Sequence, residues 1–186
     1  MTMRELVRKA RSIRRFKDND PIPEAHLRDL VDLARLAASG GNQQPLRYRL
    51  VSTATECQMV FPHTAWAGHL KDWKGPAIGE RPTGYILILA EHEHDVDVGI
   101  AAQTIQLAAA EMGYGSCMLG AIKRDEIKAA LRIPAQFKLA LALALGKPAE
   151  TIVLEDAKAG DSLKYYRTPD GVHHVPKLRL ADVIVR

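Results

Sequence analysis

The sequence predicts an α+β fold in which helices pack on a mixed sheet. Three observations carry that expectation. Tyr85 to Ala90 is an unbroken apolar run with β-branched members, the mark of a strand covered on both faces. Val96 to Met112 is apolar on almost every side, so a helix there has to be buried nearly all round, and its small residues permit close helix-to-helix approach inside a core or across a dimer interface. Leu27, Leu30, Val31, Ala34 and Ala38 recur at three-to-four spacing, which gives a helix one apolar stripe.

From the N-terminus, Thr2 and Glu5 have the spacing of a capping box, so a first helix is expected from there to about Arg11, with Leu6, Val7 and Ala10 on one side. Pro23 suits the first position of a second helix over residues 23–38, stopped by Ser39-Gly40-Gly41-Asn42. Leu46, Tyr48 and Leu50 alternate with Arg47 and Arg49, the period of a half-buried strand. Residues 54–83 have weak periodicity and predict short helices and loops. After the long apolar helix, which Gly113 ends, Ser116 to Leu119 predicts a short strand and 124–131 a helix closed before Pro134. Phe137 to Leu145 reads as a buried strand, although LALALAL suits a helix equally well by period alone. In the tail, LKYYR and VHHV flank Thr168-Pro169-Asp170-Gly171, which predicts a hairpin.

At 186 residues with 47% hydrophobic, the chain suits one domain over 1–186, its tail from about 150 packing on the core or on a partner subunit. No run approaches the roughly 18 uncharged apolar residues of a spanning helix, and charges are scattered through MTMRELVRKARSIRRF. The expected location is therefore the cytoplasm, with no membrane partner. Cys57 and Cys117 lie far apart with no zinc-type spacing, which argues against a disulfide framework. The net charge of +4 mixes 26 basic with 22 acidic residues, and only Arg4 to Lys17 is lopsided. That pattern points to one local anion site. It lacks the aromatics interleaved with basic residues that a nucleic-acid surface uses. Glu91, His92, Glu93, His94 and Asp95, with His173 and His174, read as solvated charges and predict no metal.

Four segments carry chemistry. Arg11-Ser12-Ile13-Arg14-Arg15-Phe16 combines guanidinium groups with a hydroxyl, which suits a phosphate-binding turn or, alone, a solvated basic stretch. Ser39-Gly40-Gly41-Asn42-Gln43-Gln44-Pro45 offers amides suited to the polar edge of a heterocycle, and also the composition of an ordinary turn. Met118-Leu119-Gly120-Ala121 places a glycine at a strand end, where a backbone N–H can approach a flat ring. Lys177 and Arg179, two apart in VPKLRL, point the same way in an extended segment and suit one anion or a guarded strand edge.

Taken together, RSIRRF, SGGNQQPLRY, GYGSCMLGAI, LGKPAE and VPKLRL resemble the nitroreductase family over nearly the whole chain. The resemblance implies a mixed, mainly antiparallel sheet packed with helices in an intertwined homodimer. It implies an FMN-dependent oxidoreductase that passes hydride from NAD(P)H via flavin N5 to a nitroaromatic, quinone or similar small acceptor. It assigns Arg11, Ser12 and Arg14, with Lys177 and Arg179, to the flavin phosphate and ribityl chain. It assigns Ser39, Asn42 and Gln44 of the neighbouring subunit to the ring and ribityl chain, and Leu119 and Gly120 to the N5 side. No protein acid or base is required, so no catalytic side chain is named. Many family members have a basic residue where Ala10 stands, a contact that is then either missing here or supplied by Arg15 or Lys177. They also have a second serine and a proline near Ala38, Gly40 and Gly41, an aromatic at Leu46, and a basic or amide group by N1 and O2, where Lys71 and Lys74 lie. The same resemblance admits a specialised dehalogenase or dehydrogenase, or a non-catalytic flavin-binding or redox-sensing module.

Overall fold

A computed structural model of the chain describes residues 1–185. The first helix, α1 (Met3–Lys9), opens with the expected capping box: the Glu5 N–H donates to Thr2 Oγ1 at 3.3 Å and the Thr2 N–H to Glu5 Oε2 at 2.7 Å. The second, α2 (Glu24–Arg35), starts one residue later than predicted, with Pro23 as its cap, and buries Leu27, Leu30 and Ala34.

Four antiparallel strands form the core of the sheet. Strand β3 (Gly84–Ala90) is buried along its whole length between β2 (Arg47–Val51) and β5 (Lys138–Pro148), as its apolar run required. Strand β4 (Gly115–Leu119) pairs with the other side of β5, so LALALAL is a strand; pairing on both sides, which no periodicity reports, decides it. A short β1 (Phe16–Lys17) joins the far end of β5. The side chains of β3 alternate between two cores. Ile86 and Ile88 pack with α2 and the long α4 (Asp95–Glu111), while Tyr85, Leu87 and Leu89 meet the side covered by α3 (Ala54–Val60) and α5 (Arg124–Ala130).

Helix α4 departs from its prediction. Val98, Ala101, Ala102, Ile105 and Ala109 are buried against the sheet and α2, but Val96 is 77% exposed, and Gly99 and Gln103 lie open beside it. Among the described residues no element covers that stripe. No helix among the described residues is long and apolar enough to cross a membrane.

The tail makes a second sheet. Strand β8 (His173–Leu178) pairs antiparallel with β7 (Tyr166–Arg167) through the expected turn and parallel with β6 (Ile152–Ala157), a pairing nothing local predicted.

One glycine ties the fold to the RSIRRF segment. A Cβ on Gly115 would stand 2.7–2.8 Å from three side-chain atoms of Ile13. Gly115→Ala therefore overpacks this seam and should lower stability by about 1–3 kcal/mol. Urea unfolding checks it, and an unchanged midpoint would contradict the close approach.

Candidate functional site

The RSIRRF segment runs alongside the start of β4. Ser12 bridges Ser116, and the Ile13 N–H donates to the Ser116 carbonyl at 2.9 Å. Arg11 is half-buried there, and its Nε donates to the Ala10 carbonyl at 2.7 Å. Burial pushes its pKa down, yet no carboxylate pairs with it among the described residues. Beside it the Ser116 hydroxyl is buried without a hydrogen-bond partner. A desolvated cation adjacent in sequence to Ser12 and an idle hydroxyl on the residue bridged to Ser12 lack one thing, an anionic acceptor. That chemistry fits a phosphate group.

Arg14 faces the other way, into the tail. Its backbone N–H donates to the Glu150 carboxylate, its Nη1 lies 3.3 Å from His173 Nε2, and its guanidinium stacks 4.7 Å from the Tyr165 ring centre. Glu150, 1% exposed, also accepts from Arg167 Nη2 at 2.8 Å. Arg15 is ion-paired with Glu80 at 3.2 Å and so does not supply the cation missing at Ala10.

Along β4 from Ser116, Leu119 is buried and Gly120 is exposed, with open space where a Cβ would stand. The Gly120 N–H makes no hydrogen bond among the described residues. Beyond Ser116 the outer edge of β4 has no strand partner among the described residues. Four residues of strand separate Ser116 from Gly120, about 13 Å.

Ser39, Asn42 and Gln44 stand elsewhere. Their turn leads into β2, at the opposite edge of the sheet, and Ser39 bonds Asp97 in the first turn of α4. Counting Ser12, β4, β5, β3 and β2, four strand spacings or about 19 Å lie between the two groups. One chain does not bring them together.

Nor does it bring Lys177 and Arg179 to Arg14. The tail touches Arg14 through His173, and Lys177 lies four residues further along β8, about 13 Å away. The Lys177 side chain is exposed and makes no ion pair among the described residues. Arg179 lies past the strand end and pairs with Asp182 at 2.9 Å, which raises its pKa. The backbone stays extended through Arg179, whose N–H donates to the Ala157 carbonyl at 3.1 Å; what sets the two cations apart is the Asp182 pairing of Arg179.

Sequence reasoning passed over Glu150, Tyr165 and Asp97, and took His173 only as a metal candidate. Glu150 lies inside the quoted LGKPAE, but its partner Arg14 is 136 positions away. His173 is fully buried, and its pKa is lowered to about 4 by burial first, then by Arg14, Arg167 and His174, against the pull of Glu150. The unfolded chain, with an ordinary value near 6.5, takes up this proton before the folded one does. The stabilising contribution is therefore complete above about pH 6.5 and is lost as pH falls toward 4. Urea unfolding across that window should show stability declining with acid, and His173→Asn should flatten the slope; an equal slope in both proteins would contradict the assignment.

The model of the Nitroreductase family matches residues 7–147. Among solved structures, a putative nitroreductase of Desulfovibrio desulfuricans in complex with FMN is similar at TM-score 0.67 and 25% identity, over 98% of this chain and 94% of its own. A nitroreductase family protein from Clostridium novyi gives TM-score 0.66 at 23% identity, over 80% of this chain and 86% of its own. An FMN-dependent nitroreductase of Clostridium difficile gives 0.61 at 24%, over 80% and 88%. No curated protein matches the chain.

Proposed function

Because this chain belongs to the nitroreductase family, we propose that it is an FMN-dependent oxidoreductase working as a homodimer, a single domain per chain, with two flavin sites shared between subunits. The observation that carries the reading is Arg11, desolvated and without a carboxylate, beside Ser12 and the idle Ser116 hydroxyl. The structure of the Desulfovibrio desulfuricans relative with FMN supports it. When bound, the flavin supplies hydride transfer at N5 between NAD(P)H and a small acceptor such as a nitroaromatic or quinone.

The chain's own residues bind and orient. Arg11 meets the phosphate with its planar fork, and Ser12 and Ser116 add hydroxyl donors. The open edge of β4 then carries an elongated ligand about 13 Å to Gly120, whose free N–H donates at the ring end. Leu119 gives that end an apolar floor. Glu150, His173 and Tyr165 hold Arg14 against the tail, so its part is to lock the phosphate-binding turn in place. Among the described residues Lys177 is an unpaired cation of the tail, and it reaches the phosphate only if the tail moves or a second copy presents it. Arg179 joins it only by releasing Asp182. Ser39, Asn42 and Gln44 come from the second subunit, since about 19 Å of sheet keeps them from the flavin of their own chain.

One feature favours a specialised acceptor, as in a dehalogenase or dehydrogenase. The segment after α3 is pinned beside Gly120: the Ala65 N–H donates to the Ala121 carbonyl at 2.9 Å, Arg167 covers the Trp73 ring at 4.7 Å, and His69 packs on Tyr165 at 4.8 Å. A fixed wall there narrows the acceptors that fit, and turnover with a panel of graded size measures it.

Flavin fluorescence titration tests the binding residues. Arg11→Ala should weaken FMN by about ten- to a hundredfold, and Arg179→Ala far less, because its cation is already neutralised by Asp182. Equal effects would contradict the placement of the phosphate at Arg11. Sharing is tested by mixing Arg11→Glu chains with chains carrying Asn42→Ala and Gln44→Ala. A mixed dimer should regain one fully native site and bind one FMN. If each site is built within a single chain, mixing restores none.

A further inference from the structure

The turn between α2 and β2 concentrates unfavourable backbone. Gly41, Asn42 and Gln44 have φ of 56°, 55° and 49°, and two of the three carry side chains for which that region is disfavoured. Both side chains are exposed, so core packing does not compensate. Something else must hold the turn, and it must hold it for a use that lies outside the single chain.

The holding group is Asp97. It is 9% exposed, and no cation pairs with it among the described residues. Its Oδ1 accepts the Gly40 N–H at 3.0 Å, and its Oδ2 accepts the Ser39 hydroxyl at 3.4 Å. Ser39 Oγ in turn accepts the Gln44 N–H at 3.0 Å, which closes the turn, and the Gln44 amide donates to Asn42 Oδ1 at 3.2 Å.

An ordinary acidic residue in a first helical turn spends its oxygens on its own helix N–H groups. Asp97 spends both on a segment 57 and 58 positions earlier, while the helix dipole offsets the cost of burying its charge. Ser39, Gln44 and Asp97 all line one groove of about 1010 Å³ between α2, β2 and α4, on the side of α4 where Ile100 and Ala101 lie. The turn is thus displayed on a concave face beside the uncovered stripe of Val96, Gly99 and Gln103.

We propose that Asp97 is the positioning residue of the Ser39–Gln44 turn, holding Asn42 and Gln44 in the shape in which they meet the flavin of a second copy of the chain. This rests on the FMN reading above. Its own content is the line from the Asp97 carboxylate through Ser39 and Gly40 to the two amides. Asp97→Asn keeps an acceptor for the Gly40 N–H, Asp97→Ala removes both acceptors, and Asp97→Glu keeps the charge but moves it by one methylene.

The test uses the full chain and two readouts: FMN affinity by fluorescence titration, and hydrogen exchange of the backbone amides of residues 40 and 44. Asp97→Ala should weaken FMN by about tenfold or more and speed exchange at Gly40 and Gln44 by a similar factor, with α4 and the sheet still protected. Asp97→Asn should stay within about threefold of the parent in both. Should Asp97→Ala fail to fold, Asp97→Glu carries the test, with weakened FMN and faster exchange expected in the same two places.

Fast exchange with unchanged FMN affinity would overturn the proposal, since the turn would then be held for some other purpose. Unchanged exchange would overturn it too, by removing Asp97 as the hold. A parent protein that binds no FMN at all defeats the underlying functional reading instead, and the exchange data then report separately whether Asp97 holds the turn.

Discussion

The width of the sheet governs the account. Ser12 flanks β4 at one edge and the turn ending at Gln44 enters β2 at the other, with β5 and β3 between them. Antiparallel ladders fix their strands at about 4.8 Å, so the two groups stand about 19 Å apart and no side-chain rotamer closes that gap. Each group is also built as half of something. Among the described residues Arg11 is a desolvated cation without a carboxylate, and Asn42 and Gln44 are exposed amides in a turn of positive φ whose side chains bond only each other's segment. In the proposed homodimer a second copy supplies to each half what the first cannot. The uncovered stripe of α4 and the groove next to it mark the face on which that copy is expected.

Two buried carboxylates, Glu150 and Asp97, do the positioning, and they solve the cost of burial differently. Glu150 is paired with Arg167 and takes the Arg14 N–H, so its charge is compensated and the RSIRRF segment is locked to the tail. Asp97 has no cation and relies on the amide end of α4, a neutral donor from Gly40 and the Ser39 hydroxyl. Its field also acts on Tyr48, whose pKa is raised by burial first and by Asp97 second. Neither group touches a reacting atom in this reading. They set the geometry of those that bind, in keeping with a cofactor that carries its own chemistry.

Much of this fold was legible because its signals are local. The Thr2–Glu5 box, the apolar run of β3 and the stripe of α2 each follow from the period of a single element. What failed depended on partners. LALALAL stayed open until β3 and β4 were seen on its two sides, and α4 looked buried all round because apolarity does not say what covers a face. The parallel pairing of β6 with β8 joins residues about twenty positions apart and left no trace in either strand. Within the site, the RSIRRF and SGGNQQP segments stood out by composition. Glu150 and Asp97 did not, since a carboxylate is marked as buried only by the distant N–H groups it accepts. Spacing alone put Lys177 and Arg179 on one extended segment, and it could not report that Asp182 already neutralises Arg179.

The most direct test of the central claim is a visible absorption spectrum. The purified chain is incubated with FMN, desalted, and recorded anaerobically before and after NADH or NADPH, then again after a quinone is added. The account predicts flavin bands that survive desalting, bleach with at least one of the two donors, and return with the acceptor. A chain that loses FMN on desalting, or keeps it without bleaching with either donor, would contradict it.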